Sequence, residues 1–407
     1  MDEKEPVGRD VIGQDAIVDA AIDTIVRNGL AGLTLRPLAS SLGVSVGAIS
    51  ARMGTKDQLI DRVVDLAARR DQHFFDRWID FAARVGPVDS AARAAVADLA
   101  FRDWMTAGRR QAIFLIELVH HHALLQASSR ALDQWLTSAG AFWSTLMFGT
   151  TALADLALGY VLDEAGFALG AGDDPVYAVL RVLCLQRFVD GLLARGDAGG
   201  TDIERLIALL EPDALPSPSP SPSPSPDDPK RQRIADSVAR IIVSQGMNAA
   251  THRAVALVAG VPASTVVYHF GGRAALVVAG LHAVIARFHG MRDRTRAEGT
   301  MPVDDADTRD LVKATSMIAL ASAREPSLRP YAIDMRRRRG ENIRAADLAS
   351  FGFGPGNADG FDRATAQVLS IALFGMRMTA MARMLPERAC YRGAFAALDA
   401  WNAGRVT

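Results

Sequence analysis

Only two cysteines, Cys184 and Cys390, occur in 407 residues. They form neither a disulfide framework nor a metal-ligand spacing, so both are expected as reduced thiols in helix cores. Aromatics are scarce as well, at 6% of a chain that is 49% hydrophobic. The apolar content falls to Ala, Leu and Val, which favours helices over sheets and predicts an all-α fold. No apolar run reaches membrane-spanning length without interruption, and residues 1–10, MDEKEPVGRD, hold nothing like a secretory signal. A cytoplasmic chain with no membrane partner is expected. No sign of charge dominates, since the formal net charge is −1, so any surface for a polyanion is local. A Gly-rich phosphate loop and an HExxH motif are both missing. Neither enzyme activity nor a cofactor is expected.

What is present is a pattern that occurs twice. Thr34–Met53 reads TLRPLASSLGVSVGAISARM, and Thr251–Phe270, 217 residues further on, reads THRAVALVAGVPASTVVYHF. In each copy a threonine (Thr34, Thr251) is placed to N-cap a short helix through its hydroxyl, with an arginine (Arg36, Arg253) in the first turn. Pro37 falls in that first turn, where its missing N–H has no consequence. A glycine (Gly43, Gly260) then sits where a left-handed residue closes the helix. A second short helix follows, with one apolar face (Val44, Ile49, Met53; Val261, Val266, Phe270) and one face of small or polar residues. Such a helix fits a DNA major groove, about 12 Å wide, with its first turns against base edges. Both copies are expected to be helix-turn-helix units.

The run Gly260-Val261-Pro262 to Tyr268-His269-Phe270, preceded by Thr251-His252-Arg253, resembles the signature of the tetracycline-repressor (TetR) family. The upstream copy resembles it less fully: it keeps Thr34, Arg36, Ala39, Gly43-Val44-Ser45, Gly47 and Lys56, but has Ser50 and Met53 where the family usually has tyrosine and phenylalanine. The downstream copy departs at Pro262, Val267 and Arg273. The resemblance implies a tandem duplication of the family domain, hence a DNA-binding transcriptional regulator, most often a ligand-responsive repressor. Phosphate contacts are expected from Thr34, Arg36 and Lys56, and from Thr251, Arg253, Tyr268, His269 and Arg273. Base-edge contacts are expected from Ser45, Val46, Ser50 and Arg52, and from Ala263, Ser264, Thr265 and Val267. The implied partners are a double-stranded DNA operator and a small-molecule effector.

Apolar periodicity and Gly/Pro breaks divide the chain into five parts. They are a first head at residues 10–60, a helical ligand-binding and dimerisation body at 61–213, a linker at 214–229, a second head at 230–278 and a second, shorter body at 279–407. The first body is expected to have helices near 89–107, 109–126, 128–148, 150–170, 174–195 and 201–211. In the second body helices are expected near 304–323, 326–350, 361–384 and 387–401. The linker centres on PSPSPSPSPSP at 216–226, which forbids helix and sheet and reads as a polyproline-II spacer. Gly191 and Gly375 fall at like positions of the helices 174–195 and 361–384, where they would permit close approach of two halves. In the family the last two helices of each subunit build a four-helix bundle. A tethered second copy can close that bundle within one chain as an intramolecular pseudo-dimer.

The heads differ in charge. Residues 12–73 hold seven Lys/Arg and seven Asp, whereas residues 229–290 hold seven Lys/Arg and only Asp236. Phosphate neutralisation supplies most non-specific DNA affinity, so the second head is the expected stronger binder. Because the heads are unlike, an asymmetric operator is expected. The alternative is a ligand- or partner-binding helical protein in which only the second head is competent for DNA. His120-His121-His122 cannot converge on one ion from adjacent helical positions, but His121 is a candidate polar group in a ligand pocket lined by Phe101, Trp104, Phe114, Trp135 and Trp143. Aromatics at helical spacing are, however, more often core than pocket lining. The basic run Arg336–Arg339 reads as a solvated helix face.

Overall fold

The computed structural model describes residues 13–122, 125, 129–192, 200–212, 228–298, 306–341, 343, 348–349, 352 and 361–406. The linker at 216–226 lies outside them. The described residues form 18 α-helices and short 3-10 turns. In the first half these are α1 (Gln14–Asn28), α2 (Leu35–Ser41), α3 (Val46–Met53), α4 (Lys56–Val85), α5 (Ser90–Thr106), α6 (Arg109–His120), α7 (Ser129–Phe148), α8 (Ala154–Ala171), α9 (Pro175–Val189) and α10 (Gly200–Leu209). The second half contributes α11 (Pro229–Gln245), α12 (His252–Ala259), α13 (Ala263–Phe270), α14 (Arg273–Glu298), α15 (Ala306–Ser322), α16 (Arg329–Arg337), α17 (Arg363–Ala382) and α18 (Glu387–Val406). Among the described residues no single helix is long and apolar enough to cross a membrane.

Local chemistry sets most of these boundaries. The Thr55 hydroxyl accepts from Gln58 N while the Gln58 side chain accepts from Thr55 N, a reciprocal cap that starts the 30-residue α4. Asp89, Asp174, Asp228 and Asp362 cap α5, α9, α11 and α17 in the same sense, and Pro175 and Pro229 follow at the first helical position.

The two halves share one hydrophobic core, which runs from Ile17 in α1 to Leu398 in α18. Its spine is α8, apolar apart from Asp155, Asp163 and Glu164 and buried along nearly its whole length. It packs against α5, α6 and α7 of its own half and against α15, α16, α17 and α18 of the other. Gly159, Gly166 and Gly170 form one stripe on α8. Gly159 meets the backbone of α17 at Ala372 and Gly375, while Gly166 and Gly170 meet Ala319 and Ser322 of α15. A Cβ at either Gly159 or Gly375 would collide with the other helix's backbone, so this crossing needs glycine on both sides. Gly375 thus does permit close approach, but its partner is Gly159. Gly191 lies beyond the end of α9 with φ +81, because that helix stops at Val189 instead of reaching 195.

The second correction concerns the basic run. Arg336, Arg337 and Arg339 are buried, not solvated. Arg336 donates through Nη2 to Glu164 Oε2 at 2.9 Å and through Nη1 to Gln367 Oε1 at 2.6 Å, and neither Arg336 nor Glu164 has any exposed side-chain surface. Arg339 pairs with Asp163 at 2.9 Å and lies over the Phe374 ring. Asp163 and Glu164 are consecutive on α8, so one helix supplies the counter-charges for two arginines of the other half. The single helix expected over 326–350 is instead a 3-10 turn at Pro326–Leu328 followed by α16, which ends at Arg337. The following turn places Gly340 at φ +82 against the backbone of Ala366.

Candidate nucleic-acid interface

In the first half α1 packs on α2, α3 and the start of α4. Gly29, φ +74, ends α1 and leads through a 3-10 turn (Leu30–Gly32) into α2. Gly43, φ +66, turns the chain from α2 to α3. Ser45 caps α3 by accepting from Ala48 N at 3.1 Å. Ile49 and Met53 bury the inner face of α3, while Ser45 and Val46 are exposed and Ser50 and Arg52 half-buried. Arg62 of α4 donates to the Arg52 carbonyl at 2.7 Å and so closes the C-terminal end of α3. Thr34 and Arg36 are exposed and Lys56 is half-buried at the start of α4. One expectation fails locally: Thr34 precedes α2 in extended conformation, but its hydroxyl makes no cap bond.

Residues 229–298 repeat this order of elements. Gly246, φ +87, ends α11, a 3-10 turn (Met247–Ala249) follows, and α12 runs to Gly260, which is left-handed at φ +65. Here the cap forms, with the Thr251 hydroxyl accepting from Ala254 N at 3.2 Å. Helices α12 and α13 meet at a bend of 111°. The His252 ring, 2.8 Å from the Gly271 carbonyl, ties the start of α12 to the end of α13. Thr251, Arg253, Ala263, Ser264, Val267, Tyr268 and Arg273 are exposed and Thr265 is half-buried. Arg273 donates to the Met247 carbonyl at 3.3 Å, which holds it beside the 3-10 turn.

His269 is the exception. It is 4% exposed, and its Nδ1 lies 3.6 Å from the carboxylate of Asp228, the residue that caps α11. A phosphate contact from His269 is therefore excluded in this conformation: the residue faces α11, one step round the helix from Tyr268. Lys230, Arg231 and Arg233 lie within α11, with Arg231 over the Phe270 ring.

Short helices joined by a tight glycine turn, with an apolar inner face and an exposed outer one, are the elements from which helix-turn-helix readers of duplex DNA are built. Residues 17–63, from α1 into α4, match the model of the bacterial regulatory proteins, tetR family, and form a TetR N-terminal domain. Proteins of that family are transcriptional regulators, not enzymes, and the domain is their DNA-binding part. The matched segment is the upstream copy, which keeps fewer of the family's motif residues, and it does not include Thr251–Phe270. Comparison with curated proteins finds no match.

The 3-10 turns Leu30–Gly32 and Met247–Ala249 touch each other, so the segments that follow α1 and α11 meet at one place. Glu117 of α6 organises that place. It accepts from Leu30 N at 3.3 Å and pairs with Arg324 at 2.6 Å. Arg324, just past α15, also donates through Nε to the Val26 carbonyl at 2.6 Å, so the second half caps the C-terminal end of α1. From the first half, the His121 ring lies against Gly246 at the end of α11. His120 and His121 are buried, and burial pushes both imidazoles below their usual range. His120 Nδ1 has no hydrogen-bond partner, whereas His122 Nδ1 lies 3.0 Å from the Val119 carbonyl.

The aromatic candidates occupy the first body. Trp104, Phe114, Trp135 and Trp143 are buried and in ring contact, Trp104 with Trp143 and Phe114 with Trp135. Phe101 lies beside Trp143 and under the Arg181 guanidinium, and it borders a cleft of about 530 Å3 between α5, α8 and the end of α15. Sequence reasoning passed over Asp71, which α4 buries in this aromatic cluster, where it accepts from the Trp135 indole at 3.0 Å. Desolvation pushes its carboxyl up to about 7, with the indole N–H opposing the shift. Only its position on the inner stripe of α4, with Ile60, Val64 and Phe75, hinted at burial.

Proposed function

We propose that the chain is a transcriptional regulator that reads an asymmetric operator with two unlike helix-turn-helix heads, residues 14–53 and 229–270, held in an intramolecular pseudo-dimer. The observation that carries this reading is the repeated order of elements: helix, positive-φ glycine, 3-10 turn, short helix, left-handed glycine, short helix, long helix. Phosphate contacts are assigned to Thr34, Arg36 and Lys56 and to Thr251, Arg253, Tyr268 and Arg273, all of which keep exposed or half-exposed surface. Base edges are assigned to Ser45, Val46, Ser50 and Arg52 and to Ala263, Ser264, Thr265 and Val267. A small-molecule effector that favours one arrangement of the heads over another shifts DNA affinity, because two half-sites sit at a fixed helical phase.

Selection of bound duplexes from a random pool, with the whole chain at moderate salt, tests the proposal. Two unlike half-motifs at one spacing are the expected result. A single motif, or one motif repeated, would favour the second reading, motivated by charge: residues 12–73 have as many Asp as Lys/Arg, so only the cationic second head binds DNA.

A further inference from the structure

A cavity of about 300 Å3 lies where the two heads and the two bodies meet. Its walls come from all four regions: Arg27 and Gly29 from the end of α1, Gly246 and Arg273 from the second head, Glu117 and His120 from α6, and Arg324 and Leu328 from the second body. Val277, Met317, Leu320 and Leu328 complete it with apolar surface. Its volume is at the lower end of those that hold small organic ligands.

Two features distinguish this cavity from a packing fault. The first is His120, 4% exposed, with an Nδ1 that nothing in the protein satisfies. A buried polar atom without a partner is disfavoured unless a bound group supplies the hydrogen bond. The second is charge. Three guanidinium groups, of Arg27, Arg273 and Arg324, line the cavity against two carboxylates, of Glu117 and Glu325. Glu117 is already engaged by Arg324 and by Leu30 N.

We propose that this cavity is the effector site, and that it takes a small amphipathic anion, an apolar body with one acid group, whose acid oxygens lie toward Arg27 and Arg273 and accept from His120. The apolar body fills the space between Val277 on the second head's long helix and Met317 and Leu320 on α15. Because both heads form part of the wall, occupancy is felt directly at the contact between the turns Leu30–Gly32 and Met247–Ala249. The ligand then changes DNA affinity by its different fit to the two arrangements of that contact. This assignment rests on the regulator reading above.

The test uses the whole chain and the fluorescent anion anilinonaphthalene sulfonate as probe. Three proteins are titrated: wild type, His120→Leu, and Val278→Trp, which fills the cavity from the half-buried face of α14. Melting temperature monitors their folding. Saturable one-to-one binding is expected in wild type, weakened about fivefold by loss of one hydrogen bond in His120→Leu and abolished in Val278→Trp. Equal enhancement in all three, or no saturable phase in wild type, overturns the site. In parallel, anisotropy of a labelled operator from the pool selection is read with and without probe. The probe is expected to shift wild-type DNA affinity and leave that of Val278→Trp unchanged. DNA binding with dye binding indifferent to both substitutions removes the site and leaves the regulator reading standing. Dye binding that the substitutions abolish, in a chain that never binds DNA, does the reverse.

Discussion

Residues 14–85 and 229–298 follow the same order of elements with nearly the same helix lengths, yet they present different surfaces. The outer face of α2 carries Ser40 and Ser41, whereas the matching positions of α12 are Leu257, 84% exposed, and Val258, 40% exposed. The first long helix, α4, buries Asp71 among indoles, while α14 has no carboxylate over residues 273–287 and instead places His282 beside the Tyr331 hydroxyl. The shared features are those that a helix-turn-helix backbone demands: a glycine after each first helix, a left-handed glycine in each turn and an apolar inner face on each second helix. The unlike features lie where backbone geometry does not dictate the side chain. Under the two-head proposal, these differences are expected to give two unlike half-sites.

The comparison assumes that both heads are mounted on one body, and the buried ion pairs make that assumption breakable. Arg336→Ala leaves Glu164 buried without its counter-charge and is expected to destabilise the chain by about 3–5 kcal/mol. Urea unfolding followed by far-UV circular dichroism measures this, and a split into two transitions would mean that the halves come apart. An effect below about 1 kcal/mol would show that the pair does not join them.

The Asp71 carboxyl tests the difference between the long helices. Its folded pKa, about 7, lies well above the ordinary aspartate value, so the native state binds the extra proton. Its contribution is therefore fully present below about pH 4 and is lost as pH rises to about 7. The loss amounts to roughly 4 kcal/mol at its upper limit. Asp71→Asn keeps an acceptor for Trp135 and is expected to remove this slope from a series of denaturant titrations at stepped pH. Persistence of the slope in the variant would assign it to another group.

Charge separates the two segments, and under the two-head proposal it predicts unequal contributions to DNA binding. Arg253→Ala is expected to weaken operator binding about tenfold at low salt and to reduce the log–log salt slope by about one. Arg36→Ala is expected to do the same to a smaller extent, because the surrounding residues 12–73 are already neutral overall. Equal losses in anisotropy titrations would mean that the two heads share the phosphate load. The smallest effect is in the caps: Thr251→Ala should lower stability by about 1 kcal/mol, while Thr34→Ala, whose hydroxyl makes no cap bond, should leave thermal unfolding nearly unchanged.

Much of the fold was legible before the structure. Helices α5, α7, α10, α15 and α17 lie within a few residues of the spans that apolar periodicity and glycine breaks indicate, because caps and breakers act over one turn. The long helix expected over 326–350 failed for the same kind of reason: the turn at Gly340 is set by close packing on Ala366, a contact that no local pattern carries. The Arg336–Arg339 run was read as solvated because a charge cluster without visible partners usually is. Its partners, Asp163 and Glu164, lie more than 170 positions earlier.

The same division holds for the candidate sites. By itself the sequence determined the all-α class, the two repeated motifs and the glycines that turn them, since each depends on neighbours within a turn or two of helix. Tertiary structure alone decided that His269 faces Asp228 and that the arginine run is the buried link between halves. It also decided that Gly159, not Gly191, meets Gly375, and that His120 lines a cavity shared by both heads. Each of these joins residues far apart in the chain, and burial, which sets both charge pairing and ligand access, exists only once those residues are packed together.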